Sequence, residues 1–277
     1  MQSLINHLNQ LQELLLIRDE HRTTGDGRHM DRLNDSIDQL TDQLPPEVKS
    51  LYQRLYKRDH LVMAPMHNGC CAICGMRMPI SQVQAVRLCK QIQNCPSCAR
   101  ILCEETGAPR WVGETPSRAE PRKSGISRFS AESLMISNLS ATTAAGAIEE
   151  LAKAMEEKCF VSGSDKLIQS AMEREAVLNT AMENGLAFPH VRGVEGGGLT
   201  LALGISKTGI QWDDTGNLVN IVFFITIPTA VSAFYLRLMS GLTETFLKEQ
   251  NREMLLSAET PEQLWKALTK ATRYSIK

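Results

Sequence analysis

The sequence predicts a multidomain chain: an N-terminal α-helical coiled-coil hairpin, a small module built around paired cysteines, and a C-terminal α/β domain with a mixed sheet flanked by helices. Three observations predict it. Leucines and other apolar residues recur at steps of three and four from Leu4 to Leu44, the period of a helix face. Seven of the eight cysteines fall between Cys70 and Cys103. Beyond about residue 130, helical stretches give way to apolar, strand-like runs.

A length of 277 residues exceeds the usual single domain. With 43% hydrophobic residues, 22% charged residues and a net charge of -1, the composition excludes the disordered, fibrous and membrane classes and points to no nucleic-acid ligand for the whole chain. The N-terminus has no basic start and no small-residue cleavage site, so no signal peptide is expected. The longest apolar run, residues 218–234, is broken by Asn220, Thr226, Pro228, Thr229 and Ser232, too often to cross a bilayer. A cytoplasmic location is expected, and in a reducing compartment clustered cysteines favour a metal over disulfides.

The expected boundaries are 1–62 for the hairpin, 63–104 for the cysteine module, 105–129 for a linker and 130–277 for the α/β domain. In the first segment Leu4, Leu8, Leu11 and Leu15 form one narrow stripe, and Met30, Leu33, Ile37, Leu40 and Leu44 form another. The break at residues 23–27 lets the two helices pair antiparallel, along a coiled-coil seam. Pro45 and Pro46 interrupt the second helix, yet Val48, Leu51 and Leu55 keep the spacing, so a helix can restart with a proline in its first turn. A spacer or dimerisation element is the plain reading of such a hairpin, and partner binding the other.

Cys71 and Cys74 form one C-x-x-C knuckle, and Cys95 and Cys98 form a second after a gap of twenty residues. Two tight turns each presenting two thiolates are what a closed, structural tetrahedral zinc site requires, with Gly75 and Pro96 helping to fold the turns. A dithiol redox role is the competing reading. Cys70, Cys89 and Cys103 are spare thiols, Cys70 being able to exchange with Cys71, and Cys159 reads as a buried apolar residue. The runs Cys71-Ala-Ile-Cys74-Gly-Met-Arg-Met-Pro and Cys95-Pro-Ser-Cys98-Ala-Arg-Ile-Leu resemble bacterial proteins in which a coiled-coil hairpin carries a zinc ribbon, over about residues 1–104. That family usually has Gly at the position of Ala99 and an aromatic at that of Cys103. The resemblance implies an interaction role. Across residues 77–128 nine Lys or Arg stand against four Glu, which permits contact with nucleic acid, but interleaved aromatics are lacking.

Pro and Gly at 107, 109, 113, 116, 121 and 125 mark the linker. After it, helices are expected near residues 142–157 and 165–178, and strands at 199–205 and 218–227. A final helix is capped by Thr260 with Pro261 in its first turn and Gln263 three residues after the cap.

One histidine stands out in this half. Arg174-Glu175, Thr180, the run Asn184-Gly-Leu-Ala-Phe-Pro189-His190-Val-Arg192, Gly204 with Trp212, and Val222-Phe-Phe-Ile225 before Pro228 occur in order. This pattern resembles the enzyme IIA domain of the fructose and mannitol class of the bacterial phosphotransferase system, including its nitrogen-related regulatory members. The resemblance implies that His190 accepts a phosphoryl group from the carrier protein HPr or a relative. A neutral imidazole is a competent nucleophile and later a leaving group. Dispersed charge on the transferring group calls for guanidinium, and Arg174 and Arg192 are the candidates. The family commonly has a second active-site histidine where Tyr235 stands, whose hydroxyl can donate a hydrogen bond but carries no positive charge near neutrality. His190 is expected in a shallow, solvent-reachable site.

The expected function is therefore a regulatory phosphocarrier whose state is read by a partner held at the hairpin or ribbon. Against it stand a binding protein without transfer and a transcription- or RNA-associated factor using the ribbon. Limited proteolysis tests the organisation: early cleavage is expected between about Glu104 and Ser130, and a protein first cut elsewhere and melting as one unit would contradict it.

Overall fold

A computed structural model describes residues 1–24, 30–104, 110–111, 124–194, 198–213, 216, 218–228 and 232–276. The chain divides into two compact units, residues 1–107 and 108–277.

In the first unit, α1 (Gln2–Thr24) and α2 (Met30–Asp42) pack together. They run antiparallel, with His7 Nε2 at 2.7 Å from the Leu40 carbonyl. A third helix, α3 (Pro46–Arg58), starts with Pro46 after Pro45 at the N-cap, where the missing N–H leaves nothing unsatisfied. Its far end meets the second half of α1, Arg18 Nη2 donating to Tyr56 Oη at 3.1 Å. The apolar stripe on α1 is consequently wider than a two-helix seam: Leu16 and Ile17 are buried beside Leu8, Leu11 and Leu15.

Past α3 the chain forms β1 (Met63–His67), β2 (Cys70–Cys71), α4 (Ile80–Leu88) and β3 (Ile101–Glu104). β1 is central, antiparallel to β2 and parallel to β3. The side chain of Gln12 on α1 accepts from the backbone N–H groups of Val62 and Met63 at 2.7 and 2.6 Å, and Arg100 Nε donates to the Leu61 carbonyl at 2.8 Å. These bonds tie the helices to the small sheet, whose own core holds Ala64, Met78, Val86 and Leu102.

The second unit opens with β4 (Arg110–Trp111), paired antiparallel with β6 (Val161–Ser162). Its core reaches upstream of Ser130, because Ile126, in a short 3-10 turn, is buried in it. In chain order follow β5 (Met135–Ile136), α5 (Ala144–Glu157), β6, α6 (Ser164–Val177), β7 (Ala181–Met182), β8 (Leu186–Ala187), β9 (His190–Val194), β10 (Thr200–Gln211) and β11 (Leu218–Pro228). Three helices close the chain: α7 (Ser232–Phe246), α8 (Glu249–Leu256) and α9 (Pro261–Thr272). The sheet is mixed, in the order β5-β10-β11-β8-β7, with β9 also on β11. β10 and β11 pair antiparallel, while β5 lies parallel to β10 and β8 and β9 lie parallel to β11.

The helices and strands expected from periodicity in this unit are present, with ends that coincide with the expected ones or differ from them by at most six residues. Thr260 caps α9 as its sequence requires, Oγ1 accepting from Gln263 N at 3.3 Å. Cys159 differs: it is exposed. It sits at φ 58°, just past the end of α5, so the residue serves as a left-handed helix stop instead of a core contact. Among the described residues no helix is long and apolar enough to span a membrane.

β10 and β11 are buried along most of their length, and side chains pack against both faces. Gly204 on β10 shows how closely: an added Cβ would lie 2.7 Å from Leu139 Cδ1 and 2.9 Å from its Cγ. Leu139 is itself buried and tied by its N–H to the Ile205 carbonyl at 2.7 Å, so it has little freedom to retreat. Gly204→Ala is expected to destabilise this unit by roughly 1–3 kcal/mol, read as a lowered midpoint in denaturant unfolding.

Candidate active site and candidate metal centre

β8 and β9 lie end to end along one edge of β11, Leu186 and Ala187 beside Ile221 and Val222, and His190 and Val191 beside Ile225 and Thr226. Between them stand Phe188 and Pro189. Proline has no N–H to give the ladder, but its carbonyl still accepts from Ile225 N at 3.0 Å. The backbone therefore stays on β11 while the strand is interrupted immediately before His190. In that gap the Phe188 carbonyl lies 2.9 Å from His190 Nδ1. A carbonyl can only accept, so a hydrogen bond here requires the proton on Nδ1, the tautomer that places the lone pair of a neutral ring on Nε2.

The imidazole is buried, at 2% exposure, in contrast to the shallow, solvent-reachable site expected from sequence. Part of the cover is Tyr235, fully buried on α7, whose ring centroid lies 5.9 Å from that of His190. Arg192, two residues along β9, places its guanidinium carbon 4.5 Å from the centroid of the same tyrosine ring. The structure thus brings His190, Arg192 and Tyr235 together, with the tyrosine ring in reach of both the imidazole and the guanidinium.

Arg174 and Glu175 occupy the last turn of α6, a helix that packs against β9. Arg174 is buried and donates from Nη1 to the Leu178 carbonyl at 2.8 Å, satisfying an acceptor at the helix end. Glu175 Oε1 accepts three hydrogen bonds, from Thr180 N at 2.8 Å, Thr180 Oγ1 at 2.6 Å and Trp212 Nε1 at 2.8 Å. In the sequence Glu175, Thr180 and Trp212 are separate marks in a pattern. Their convergence on one oxygen is a product of the fold, Trp212 lying 37 residues from Glu175.

Residues 128–271 match the sequence model of the family described as "Phosphoenolpyruvate-dependent sugar phosphotransferase system, EIIA 2", which is just over half of the chain. The chain belongs to this family. The mannitol-specific phosphotransferase enzyme IIA component of Staphylococcus aureus is 33% identical over 141 residues, covering 49% of this chain and 91% of that protein. The fructose-specific EIIA component of Haloferax volcanii is 29% identical over 119 residues, covering 43% of this chain and 77% of that protein. Among solved structures, nitrogen regulatory protein IIA-Ntr from Neisseria meningitidis aligns with a TM-score of 0.48 at 20% identity, over 52% of this chain and 99% of that one. The matched residues lie within the second unit, which therefore contains the EIIA domain of a phosphotransferase-system family, and the family match does not extend to the first unit.

The first unit contains the other chemistry. The sulfurs of Cys71, Cys74, Cys95 and Cys98 all lie within 4.8 Å of one another, with Cys71 and Cys98 at 3.8 Å and Cys74 and Cys95 at 3.5 Å. A tetrahedral ion with sulfur ligands at about 2.3 Å has edges of about 3.8 Å, so the four thiols suit one metal ion. Both knuckles use the same backbone turn. Gly75 N donates to Cys71 O at 2.9 Å and Ala99 N to Cys95 O at 2.8 Å, while Cys71 N and Cys95 N reach Met76 O and Arg100 O. Burial pushes the Cys71 and Cys98 thiols up. At Cys74 burial also acts upward, but the Met76 amide and the neighbouring thiols outweigh it and bring the group down to about 7, so thiolate is plentiful there at neutral pH.

The residue after each knuckle is left-handed, Gly75 at φ 74° and Ala99 at φ 62°. Glycine enters that region freely, whereas alanine is strained there. Ala99→Gly is expected to stabilise the cysteine module by about 1 kcal/mol net of the added backbone freedom of the unfolded chain. The gain is read as a higher melting temperature of the first unit and about fivefold tighter metal retention against a chelator.

Proposed function

We propose that the protein is a regulatory phosphocarrier that accepts a phosphoryl group on His190 from HPr or a relative, and whose first unit, closed by a structural zinc ion, binds the partner that responds to the phosphorylation state. The observation that carries the reading is the approach of His190 Nδ1 to 2.9 Å from the Phe188 carbonyl, in a domain belonging to a phosphocarrier family. It leaves Nε2 as the nucleophile. The Nε2 lone pair forms the new bond to phosphorus as the bond from phosphorus to the donor's ring nitrogen breaks, and the donor nitrogen takes back its electron pair. Phosphorylated His190 then carries a proton on Nδ1 as well as the phosphoryl group on Nε2, and the Phe188 carbonyl stabilises the charge the ring acquires.

Arg174 and Arg192 are proposed to meet the phosphoryl oxygens, Arg174 foremost, because a planar guanidinium matches two oxygens at once. Tyr235 is proposed to hold the His190 ring in place and to donate its hydroxyl where the family commonly has imidazole. Zinc is the proposed ion because four thiolates at this spacing form a closed tetrahedral site. Cys71, Cys74, Cys95 and Cys98 would hold it, and its contribution would be to the folding of the module. This chemistry needs no membrane segment and suits a cytoplasmic protein.

Incubation with phosphoenolpyruvate, enzyme I and HPr is expected to add one phosphate, acid-labile and base-stable, and His190→Ala is expected to abolish it with the fold retained. Arg174→Lys should slow transfer markedly, by about tenfold or more, and Tyr235→His should speed transfer or prolong the phosphorylated state. No phosphorylation of either wild type or Tyr235→His would leave the domain as a binding module. Reduced full-length protein should contain one equivalent of zinc, and Cys95→Ser with Cys98→Ser should lose it; retention of a full equivalent by that double variant would exclude the four-thiolate site.

A further inference from the structure

A hydrogen-bonded path runs from the end of α6 to the His190 ring. Trp212 Nε1 and both Thr180 donors hold Glu175 Oε1 at 2.6–2.8 Å. The Thr180 carbonyl accepts from Phe188 N at 3.2 Å, and the Phe188 carbonyl accepts from His190 Nδ1 at 2.9 Å. The peptide units of Thr180 and Phe188 are therefore fixed in turn, the second also by the stacking of Phe188 on Phe223 at 5.0 Å between ring centroids. We infer that Glu175 is a positioning residue for phosphoryl transfer: by anchoring Thr180 it aims the Phe188 carbonyl at Nδ1 and so keeps the nucleophilic lone pair on Nε2.

Three features support a positioning role over general packing. Thr180 is bound twice by the same oxygen, through backbone and side chain, which fixes its position and its peptide orientation together. Glu175 Oε2 is buried without a hydrogen-bond partner among the described residues, so the carboxylate is placed for what Oε1 accepts. The third feature is chemical. A free neutral imidazole prefers its proton on Nε2, so the opposite tautomer at His190 has to be imposed by an acceptor facing Nδ1. Pro189 adds to this demand, because it leaves no N–H to hold the segment at that point.

The inference rests on His190 being the phosphoryl acceptor, but its central test does not require phosphorylation. In unphosphorylated full-length protein, two-bond proton–nitrogen correlation spectra, with His190 signals identified by their loss in His190→Ala, report which nitrogen carries the proton. Wild type is expected to show protonated Nδ1 and unprotonated Nε2. Glu175→Ala should move the proton population towards Nε2 and slow phosphorylation on the order of tenfold to a hundredfold. Glu175→Gln keeps an Oε1 acceptor and puts its NH2 group where Oε2 has no partner, so it should retain the wild-type tautomer. Thr180→Val removes one of the three bonds while keeping the side-chain shape, and should give a smaller shift in the same direction even if Glu175→Ala fails to fold. A wild-type tautomer in folded Glu175→Ala, or in Thr180→Val where the alanine variant is unfolded, would overturn the inference. So would a proton on Nε2 in wild type. Absence of phosphorylation in wild type with the tautomer shifts present would instead overturn the carrier reading alone.

Discussion

β11 is hydrogen-bonded along both edges, to β10 on one side and to β8 and then β9 on the other, and the second unit is organised around that double pairing. With both edges taken and every residue from Ile221 to Pro228 buried, the strand cannot slip register without exchanging its faces. β5 extends the sheet beyond β10, and α5, α7 and α8 contact β11. His190 inherits its position from this arrangement, because Ile225 fixes both the Pro189 carbonyl and the place where β9 begins.

The first unit uses a different device, repetition of one local turn. Each knuckle has the same two backbone bonds, from the first cysteine's N–H to the residue five positions on, and to its carbonyl from the residue four positions on. Two copies of a tight turn, 24 residues apart in sequence from Cys71 to Cys95, need only be brought face to face to make four converging sulfurs. The β1–β3 pairing does this, since β3 follows directly from the second knuckle and β2 carries the first. Burial then works against ionisation of the thiols, a penalty that a bound cation offsets.

What could be read from sequence divides along physical lines. The cap at Thr260, the restart at Pro46 and the long strands at β10 and β11 depend on local chemistry or on period, and both are written in consecutive residues. The two knuckles were legible for the same reason. By contrast, β7 and β8 are two residues each, too short to show alternation, and are recruited by the Asn184-Gly185 turn, where both residues have positive φ. The meeting of α1 with α3 and with the start of β1 depends on Arg18 reaching Tyr56 and Gln12 reaching Val62, across dozens of residues. The histidine itself could be singled out from its motif, but its burial could not, because it is set by a long-range register with Ile225 and by Tyr235 on α7, 45 residues further along the chain. Cys159 is exposed for a local reason: its left-handed backbone conformation outweighs the apolar character of its side chain.

A 2%-exposed imidazole has a consequence for signalling. A phosphoryl group adds three oxygens and about two negative charges, and a tightly packed interior does not absorb that volume without rearrangement. On the proposed reading, loaded and unloaded forms must differ in how the Tyr235 ring and the Arg192 guanidinium lie around the histidine. The state of a hidden side chain thereby becomes a difference in shape and charge at the surface above it, legible to a partner that never touches His190.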